Sequence, residues 1–362
     1  MITPILPLFL TATLGAGPAV VGLIEGVAEA TASILKLVSG RVVDRRRNHK
    51  ALVLGGYGIS NAARPLIGLV FAWGWVLVLR FFDRVGKGLR TAPRDALVAA
   101  SVPAEMRGRA FGFHRAMDHA GATVGPLVAF VLLQAEVPLR TVFLVSVVPG
   151  FLLMGLLGWG LPARPPGRVE AKPLPPLRWG VLDARLRALV VAAGGLAFAT
   201  APEAFLVLWA AAGGMEIAWV PLLWAAAHAV RMVVAGGGGV LSDRWGRLPV
   251  VVTGWSARVV MLVLLALAGG GLPVVWTLFL LYAAATAFTE GAERALIGDL
   301  AGAVQKGTAF GLYHMLSGLL ALPGALLFGL IWEGIGMTAA FLTAAFLTTA
   351  AAAVLIGFSR KA

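Results

Sequence analysis

Apolar runs follow one another along almost the whole chain, separated only by Gly/Pro breaks and knots of charge. A membrane-crossing helix needs roughly 20 mostly apolar residues. A chain crossing lipid must also satisfy its backbone N–H and C=O groups within each segment, so such runs read as helices, and strand-like alternation is absent here. The first six spans are expected at about Ile2–Thr13, Pro18–Ser39, Ala51–Ala72, Trp73–Ala99, Ala110–Leu133 and Pro138–Gly160. A second six follow at about Leu186–Ala212, Trp219–Leu241, Pro249–Ala268, Leu272–Asp299, Ala309–Leu330 and Met337–Phe358. The expected fold class is therefore an all-α polytopic membrane protein of twelve transmembrane helices, with a bundle at 1–160, a Pro- and Arg-rich linker at 161–185 and a bundle at 186–362.

A mean hydropathy of +0.88 agrees with the bilayer as main solvent. The net charge of +13 would suggest nucleic acid if the cations were gathered on a folded surface with aromatics between them, but they sort by loop instead. Arg41, Arg45, Arg46, Arg47, Lys50, Arg107, Arg109, the linker cations, Arg244, Arg247, Lys306, Arg360 and Lys361 follow even-numbered spans, whereas the opposite loops offer only Arg140. Lys and Arg mark the cytoplasmic side, so the expected setting is a cytoplasmic (inner) membrane with the C-terminus inside and no nucleic-acid partner. Cysteine is absent, which removes disulfides and thiolate chemistry.

The chain repeats itself. Gly40, Asp44 and Arg45 of "GRVVDRRRNHK" recur as Gly239, Asp243 and Arg244 of "GVLSDRWGR", and "RGRAFGFH" from Arg107 recurs as "KGTAFGLY" from Lys306, each at a shift of 199. Two parallel copies of a six-helix unit follow from this. By the same shift the first span is shorter than its copy by about thirteen residues, so the first helix is expected to be truncated relative to its full length.

Spans in two parallel halves, with these loop motifs, resemble the major facilitator superfamily, a class of repeat-built transporters. "RFFDRVGKG" from Arg80 to Gly88 is similar to the family's fourth-helix signature, and "GATVGP" from Gly121 to Pro126 to the fifth-helix G-x-x-x-G-P signature of its exporters. The resemblance implies alternating access between halves, with Gly40, Asp44, Arg45, Gly239, Asp243 and Arg244 as a conformational latch at the cytoplasmic face. A solvated, positively charged loop is the plainer reading of the flanking cations. Gly121, Gly125 and Pro126 are expected to serve close helix packing.

Charges inside spans are costly, so each is a functional candidate even where simple pairing would explain it. The fourth span carries Arg80, Asp83, Arg84, Lys87, Arg90, Arg94 and Asp95 within an arc of roughly 140°. That face must meet a cavity or partner helices; Arg80, Asp83 and Arg84 are substrate-cavity candidates, as are Arg231, Glu290 and Glu293 in the second half. Glu25 and Glu29 share one face of the second span with Lys36, and Glu29 lies near mid-span, where a carboxylate can load and release a proton. Pairing of Glu29 with Arg80 or Arg84 is the structural alternative. His228 stands at the repeat position of Glu29, and Glu203 follows Pro202, which can break its span and place the acid by a pathway. Glu25, Glu29, Glu203 and His228 are thus the proton-coupling candidates. His114, Arg115, Asp118 and His119 on the fifth span read as a gate network rather than a metal site, since the two histidines are five apart with a cation between them.

No nucleophile, base and orienting group occur together, and no phosphate-cradling Gly loop precedes a Lys, so neither enzyme chemistry nor a cofactor is expected. The leading expectation is a monomeric secondary transporter coupling protons, with sodium as the alternative ion, to outward movement of a small organic solute. Uptake of an organic anion or metabolite is the alternative within transport. A non-transporting sensor or scaffold on the same fold is the alternative outside it.

Overall fold

The structure, a computed structural model, describes residues 2–46, 49–100, 107–160, 184–300 and 306–360. Among these, every long element is a helix. The first span is short: α1, Leu6–Leu8, runs into a π-helical turn at Phe9–Thr13 and ends at Gly15, whose φ of +66° a side chain would resist. Then follow α2 (Pro18–Arg46), α3 (His49–Leu66), α4 (Trp73–Ala100) and α5 (Arg107–Gln134). The sixth span is divided at Ser146 into α6 (Leu139–Val145) and α7 (Val147–Gly160). The seventh is divided at Thr200–Pro202 into α8 (Ala184–Ala199) and α9 (Glu203–Ala212). The chain finishes with α10 (Val220–Trp245), α11 (Arg247–Leu267), α12 (Leu272–Leu300), α13 (Lys306–Gly334) and α14 (Met337–Arg360).

These helices fill the expected order of spans, and α11, α12 and α13 begin 198, 199 and 199 residues after α3, α4 and α5. Among the described residues, eight segments are long and apolar enough to cross a membrane, the most apolar being Leu139–Gly160 at a mean hydropathy of 2.2. The first span is too short for that measure, while α3, α4 and α5 carry charge. One boundary differs from expectation: α2 and α10 continue to Arg46 and Trp245, so most of each repeated loop motif is helix. Cations in a last helical turn face the negative end of the helix dipole, which favours the extension.

The helices form two compact units. The first comprises Met1–Thr3 and Val27–Leu174, the second Pro4–Gly26 and Pro175–Ala362. In the first, α3 and α4 touch through glycine: a Cβ at Gly56 would lie 2.6 Å from Gly86 O. Ser39 Oγ donates to Gly88 O at 2.8 Å, tying α2 to α4, and Asn61 Nδ2 donates to Gly150 O at 3.2 Å, tying α3 to α7. Arg140, the one cation expected on the far side, is structural: it donates to Gly68 O and Val70 O at 3.2 and 2.7 Å and covers the Phe71 ring at 4.5 Å. Phe151, Leu152, Leu156 and Trp159 on α7 are exposed, an apolar surface suited to lipid.

In the second unit, Phe205, Phe328, Trp332 and Phe341 make an aromatic core with ring centroids 4.8 to 6.0 Å apart. The opening residues of α2 belong here because small residues admit α13. A Cβ at Gly26 would lie 2.9 Å from Leu322 Cα, and Ala19 N at the start of α2 donates to Glu333 Oε2 at 2.9 Å. Without a hydrophobic drive between helices in lipid, such close approaches and hydrogen bonds carry the association.

Candidate functional site

Each unit holds its own intramembrane polar cluster. In the first, α4 turns its charged stripe inward: Arg80 and Asp83 are 4% and 1% exposed, while their neighbours Phe81 and Phe82 are exposed. Asp83 is the hub. Arg64 Nε from α3 reaches its Oδ1 at 2.8 Å, while Arg80 Nη1 and Arg84 Nε lie 3.4 and 3.8 Å from its Oδ2. Ser60 Oγ donates to the backbone oxygen of Asp83 at 2.9 Å and accepts from Arg90 Nη1 at 2.7 Å, and Arg90 lies 4.4 Å over the Tyr57 ring. One carboxylate thus organises three guanidinium groups, an arrangement held by hydrogen bonds as well as by charge.

The other acid of this cluster is different. Glu29 on α2 is exposed, accepts a long hydrogen bond from Ser33 Oγ at 3.4 Å, and is acted on by Lys87, Lys36 and Arg84. Glu25, one turn earlier, is half-buried. Counting Glu29 and Asp83 against Lys36, Arg64, Arg80, Arg84, Lys87 and Arg90, cations outnumber acids three to one.

The second cluster is spread over four helices of the C-terminal unit. Pro202 cannot donate a helical hydrogen bond, and at this break the chain presents Glu203 as the first residue of α9. Arg231 Nη1 on α10 makes a very short contact with Glu203 Oε1, and Glu290 and Tyr282 on α12 also act on Arg231. His228, one turn before Arg231, lies 5.7 Å from the Trp224 ring. Arg258, midway along α11, donates to Thr200 Oγ1 at 3.4 Å and stands 5.9 Å from the Tyr282 ring. Among the described residues it has no carboxylate partner, although an arginine at such depth costs roughly 2.5–3.5 kcal/mol even on the insertion scale. Arg231 Nε, Arg258 Nε and the Tyr282 hydroxyl are buried without a hydrogen-bond partner.

The remaining candidates are placed as follows. Glu293 accepts from Trp255 Nε1 at 2.7 Å, so it anchors one of the largest buried side chains of α11. Glu290 is exposed on α12. Asp118 is exposed and His119 half-buried on α5, while the side chains of His114 and Arg115 lie outside the described residues. So do those of Gly40, Asp44, Arg45, Gly239 and Asp243, although all five are helical positions; Arg244 is exposed. A Cβ at Gly121 would meet nothing within 4 Å; Gly125 is half-buried and Pro126 is buried inside α5. The linker at 161–183 also lies outside the described residues.

Sequence reasoning did not single out Arg64, Arg258, Tyr282, Ser60 and Thr200. The two arginines were visible as cations inside apolar spans, the same signal that drew attention to α4. The hydroxyl residues carry no such signal, because Ser, Thr and Tyr are common in membrane helices for ordinary packing.

Residues 1–239 match the model of the Major Facilitator Superfamily. An uncharacterised MFS-type transporter of Methanocaldococcus jannaschii is 29% identical over 347 residues, covering 92% of this chain and 84% of that one. An uncharacterised protein of Mycobacterium tuberculosis is 31% identical over 339 residues, covering 90% and 80%. Among solved structures, the nucleoside transporter NupG aligns with a TM-score of 0.79 at 12% identity, covering 99% of this chain and 94% of that one. A bacterial homologue of the human lysosomal transporter Spinster, in an inward-facing and occupied conformation, aligns at 0.77 with 16% identity, covering 99% and 92%. At such identities the likeness concerns the fold, and it spans nearly every helix described above. With the family model, the repeated half and the paired intramembrane clusters in agreement, this chain belongs to the major facilitator superfamily, a family of multi-pass membrane transporters.

Proposed function

We propose that the protein is a secondary active transporter that moves a small organic solute outward in exchange for protons, by alternating access between its sequence repeats, 1–160 and 186–362, joined by 161–185. The observation that carries this reading is the contrast between two acids of one cluster. Asp83 is buried and held by three arginines, which suits a fixed structural charge, whereas Glu29 is exposed, loosely bonded and ringed by cations on α2 and α4. An acid able to exchange its proton beside movable cations is what coupling requires. Glu25, Glu203 and His228 are the further proton-coupling candidates, and the "GATVGP" stretch of α5 supports export over uptake. Asp44 and Asp243 at the ends of α2 and α10 suit a latch for one conformation. The asymmetry of loop cations supports a cytoplasmic membrane with the C-terminus inside, and we assign a monomer.

A second reading, uptake of an organic anion or metabolite, is favoured by the three-to-one excess of cations in the first cluster. Reconstitution into vesicles with an imposed pH gradient, across a panel of organic cations and anions, tests both. The expected result is gradient-driven flux that falls roughly tenfold or more, about 1.4 kcal/mol or more of lost coupling, in Glu29→Gln. Flux indifferent to both the gradient and the substitution would remove Glu29 from coupling. Accumulation down an inward proton gradient would reverse the direction.

A further inference from the structure

The C-terminal cluster has a feature that proton coupling does not use. Three donors from three helices, Arg231 Nε, Arg258 Nε and the Tyr282 hydroxyl, are buried with no acceptor among the described residues. Tyr282 is 2% exposed, so its hydroxyl cannot turn to bulk water. Among the described residues, Arg258 is met by the Thr200 hydroxyl at 3.4 Å and the Tyr282 ring at 5.9 Å. Donors of this kind are costly to leave unmet in a low-dielectric interior, and an arginine without a counter-charge more so. Arg231 is engaged at Nη1 alone, by Glu203, whose side chain is 44% exposed and is the most accessible member of the group. Glu203 is also the first residue of α9, directly after the non-helical stretch 200–202.

We infer that the C-terminal unit carries an oxyanion subsite, formed by Arg231, Arg258 and Tyr282, in which Glu203 is the resident carboxylate that a ligand's carboxylate or phosphate group displaces from Arg231. Guanidinium forks and a phenolic hydroxyl match the two or three in-plane oxygens of such a group. The ligand contributes the negative charge that Arg258 lacks and accepts from the hydroxyl of Tyr282. The subsite rests on the transport reading for its purpose, since it would bind the acidic end of the carried solute. Its binding chemistry stands independently of that reading. Thr200 orients Arg258 from the break between α8 and α9, so it is a positioning residue.

The test is anion binding by the purified full-length protein in lipid-free maltoside micelles. Inorganic phosphate and succinate are titrated against chloride at constant ionic strength, read by thermal unfolding and calorimetry. Phosphate or succinate is expected to raise the unfolding temperature of the wild type where chloride does not. Glu203→Gln, which removes the competing carboxylate, is expected to bind roughly tenfold more tightly. Arg258→Gln is expected to bind at least about tenfold more weakly, with Arg258→Lys recovering part of the loss as a point charge without the fork. A second arm adds phosphatidylglycerol in place of the soluble anions. Stabilisation by the lipid alone, lost in Arg258→Gln, assigns the same subsite to a headgroup phosphate. No response of the wild type to any of the three, or a response that Arg258→Gln and Arg258→Lys both leave intact, overturns the proposal. Arg258-dependent binding without pH-driven flux would defeat proton coupling and leave the subsite standing; pH-driven flux without such binding would do the reverse.

Discussion

α4 and α12 are the same helix of the repeat, beginning at residues 73 and 272, yet the first carries seven charged residues and the second four. Where α4 places Arg80, Asp83, Arg84, Lys87 and Arg90, the shift of 199 gives Phe279, Tyr282, Ala283, Thr286 and Thr289 in α12. The first unit concentrates its charges on one helix and satisfies them from α2 and α3. The second distributes them, one or two to a helix, over α9, α10, α11 and α12. The repeat therefore preserves the scaffold and leaves the polar chemistry free to diverge, as expected when helix positions are set by packing and sites are set by a few side chains. Asp83 and Tyr282 condense the contrast. Both are buried at the equivalent position, one as the hub of an ion cluster and the other with an unpartnered hydroxyl.

The sharpest way to break the comparison is Asp83→Asn. The substitution keeps the shape and removes the charge that balances Arg64, Arg80 and Arg84. Leaving buried cations uncompensated is strongly destabilising, by about 3–5 kcal/mol. Chemical unfolding in detergent is expected to show a loss of that size, together with reduced yield. If stability is unchanged, Asp83 is not the organising charge of the first unit.

A smaller effect is expected where α3 meets α4. A Cβ on Gly86 would crowd the backbone oxygen of Gly56 and lie 2.5 Å from Ser60 Oγ, and Ser60 is the hydroxyl that holds Arg90. Gly86→Ala is expected to cost roughly 1–3 kcal/mol through overpacking. The equivalent residue of the second repeat, Ala285, already carries a Cβ, so Ala285→Gly is expected to change stability by no more than about 1 kcal/mol, the helix-propensity difference. Thermal unfolding of the two variants side by side measures this. Equal effects would mean that Gly86 is not needed for the approach of α4 to α3 at this position of the repeat.

The same contrast explains what could be read from the sequence. The all-helical membrane fold and its repeat were legible because hydropathy and a fixed shift are properties of whole segments, and the membrane tolerates few alternatives. The charged stripe of α4 was legible because five cations at helical spacing can face only one way. The break before Glu203 was signalled by Pro202. The second cluster was not legible as a unit: Arg258 is a single cation in an apolar span, and nothing in its neighbours in sequence says that Thr200 lies 58 residues away within hydrogen-bond reach. Convergence of four helices is a tertiary fact that one-dimensional spacing does not contain. α2 and α10 run past the limits of their apolar stretches because cations in a last helical turn face the negative end of the helix dipole and favour the extension.

The smallest effect is also the one that separates structure from function in the second unit. Tyr282→Phe removes a hydroxyl that no group among the described residues meets, while keeping the ring beside Arg258. Deleting an unsatisfied buried hydroxyl without changing shape is expected to leave unfolding stability within about 1 kcal/mol of wild type, or slightly raise it. Asp83→Asn at the equivalent position fails that standard by several-fold. Measured by unfolding in anion-free detergent, a loss as large as that of Asp83→Asn would show that the Tyr282 hydroxyl has a structural partner. The two repeats would then use this position in the same way. A silent substitution would instead show that the hydroxyl contributes nothing to folding, as the anion subsite requires.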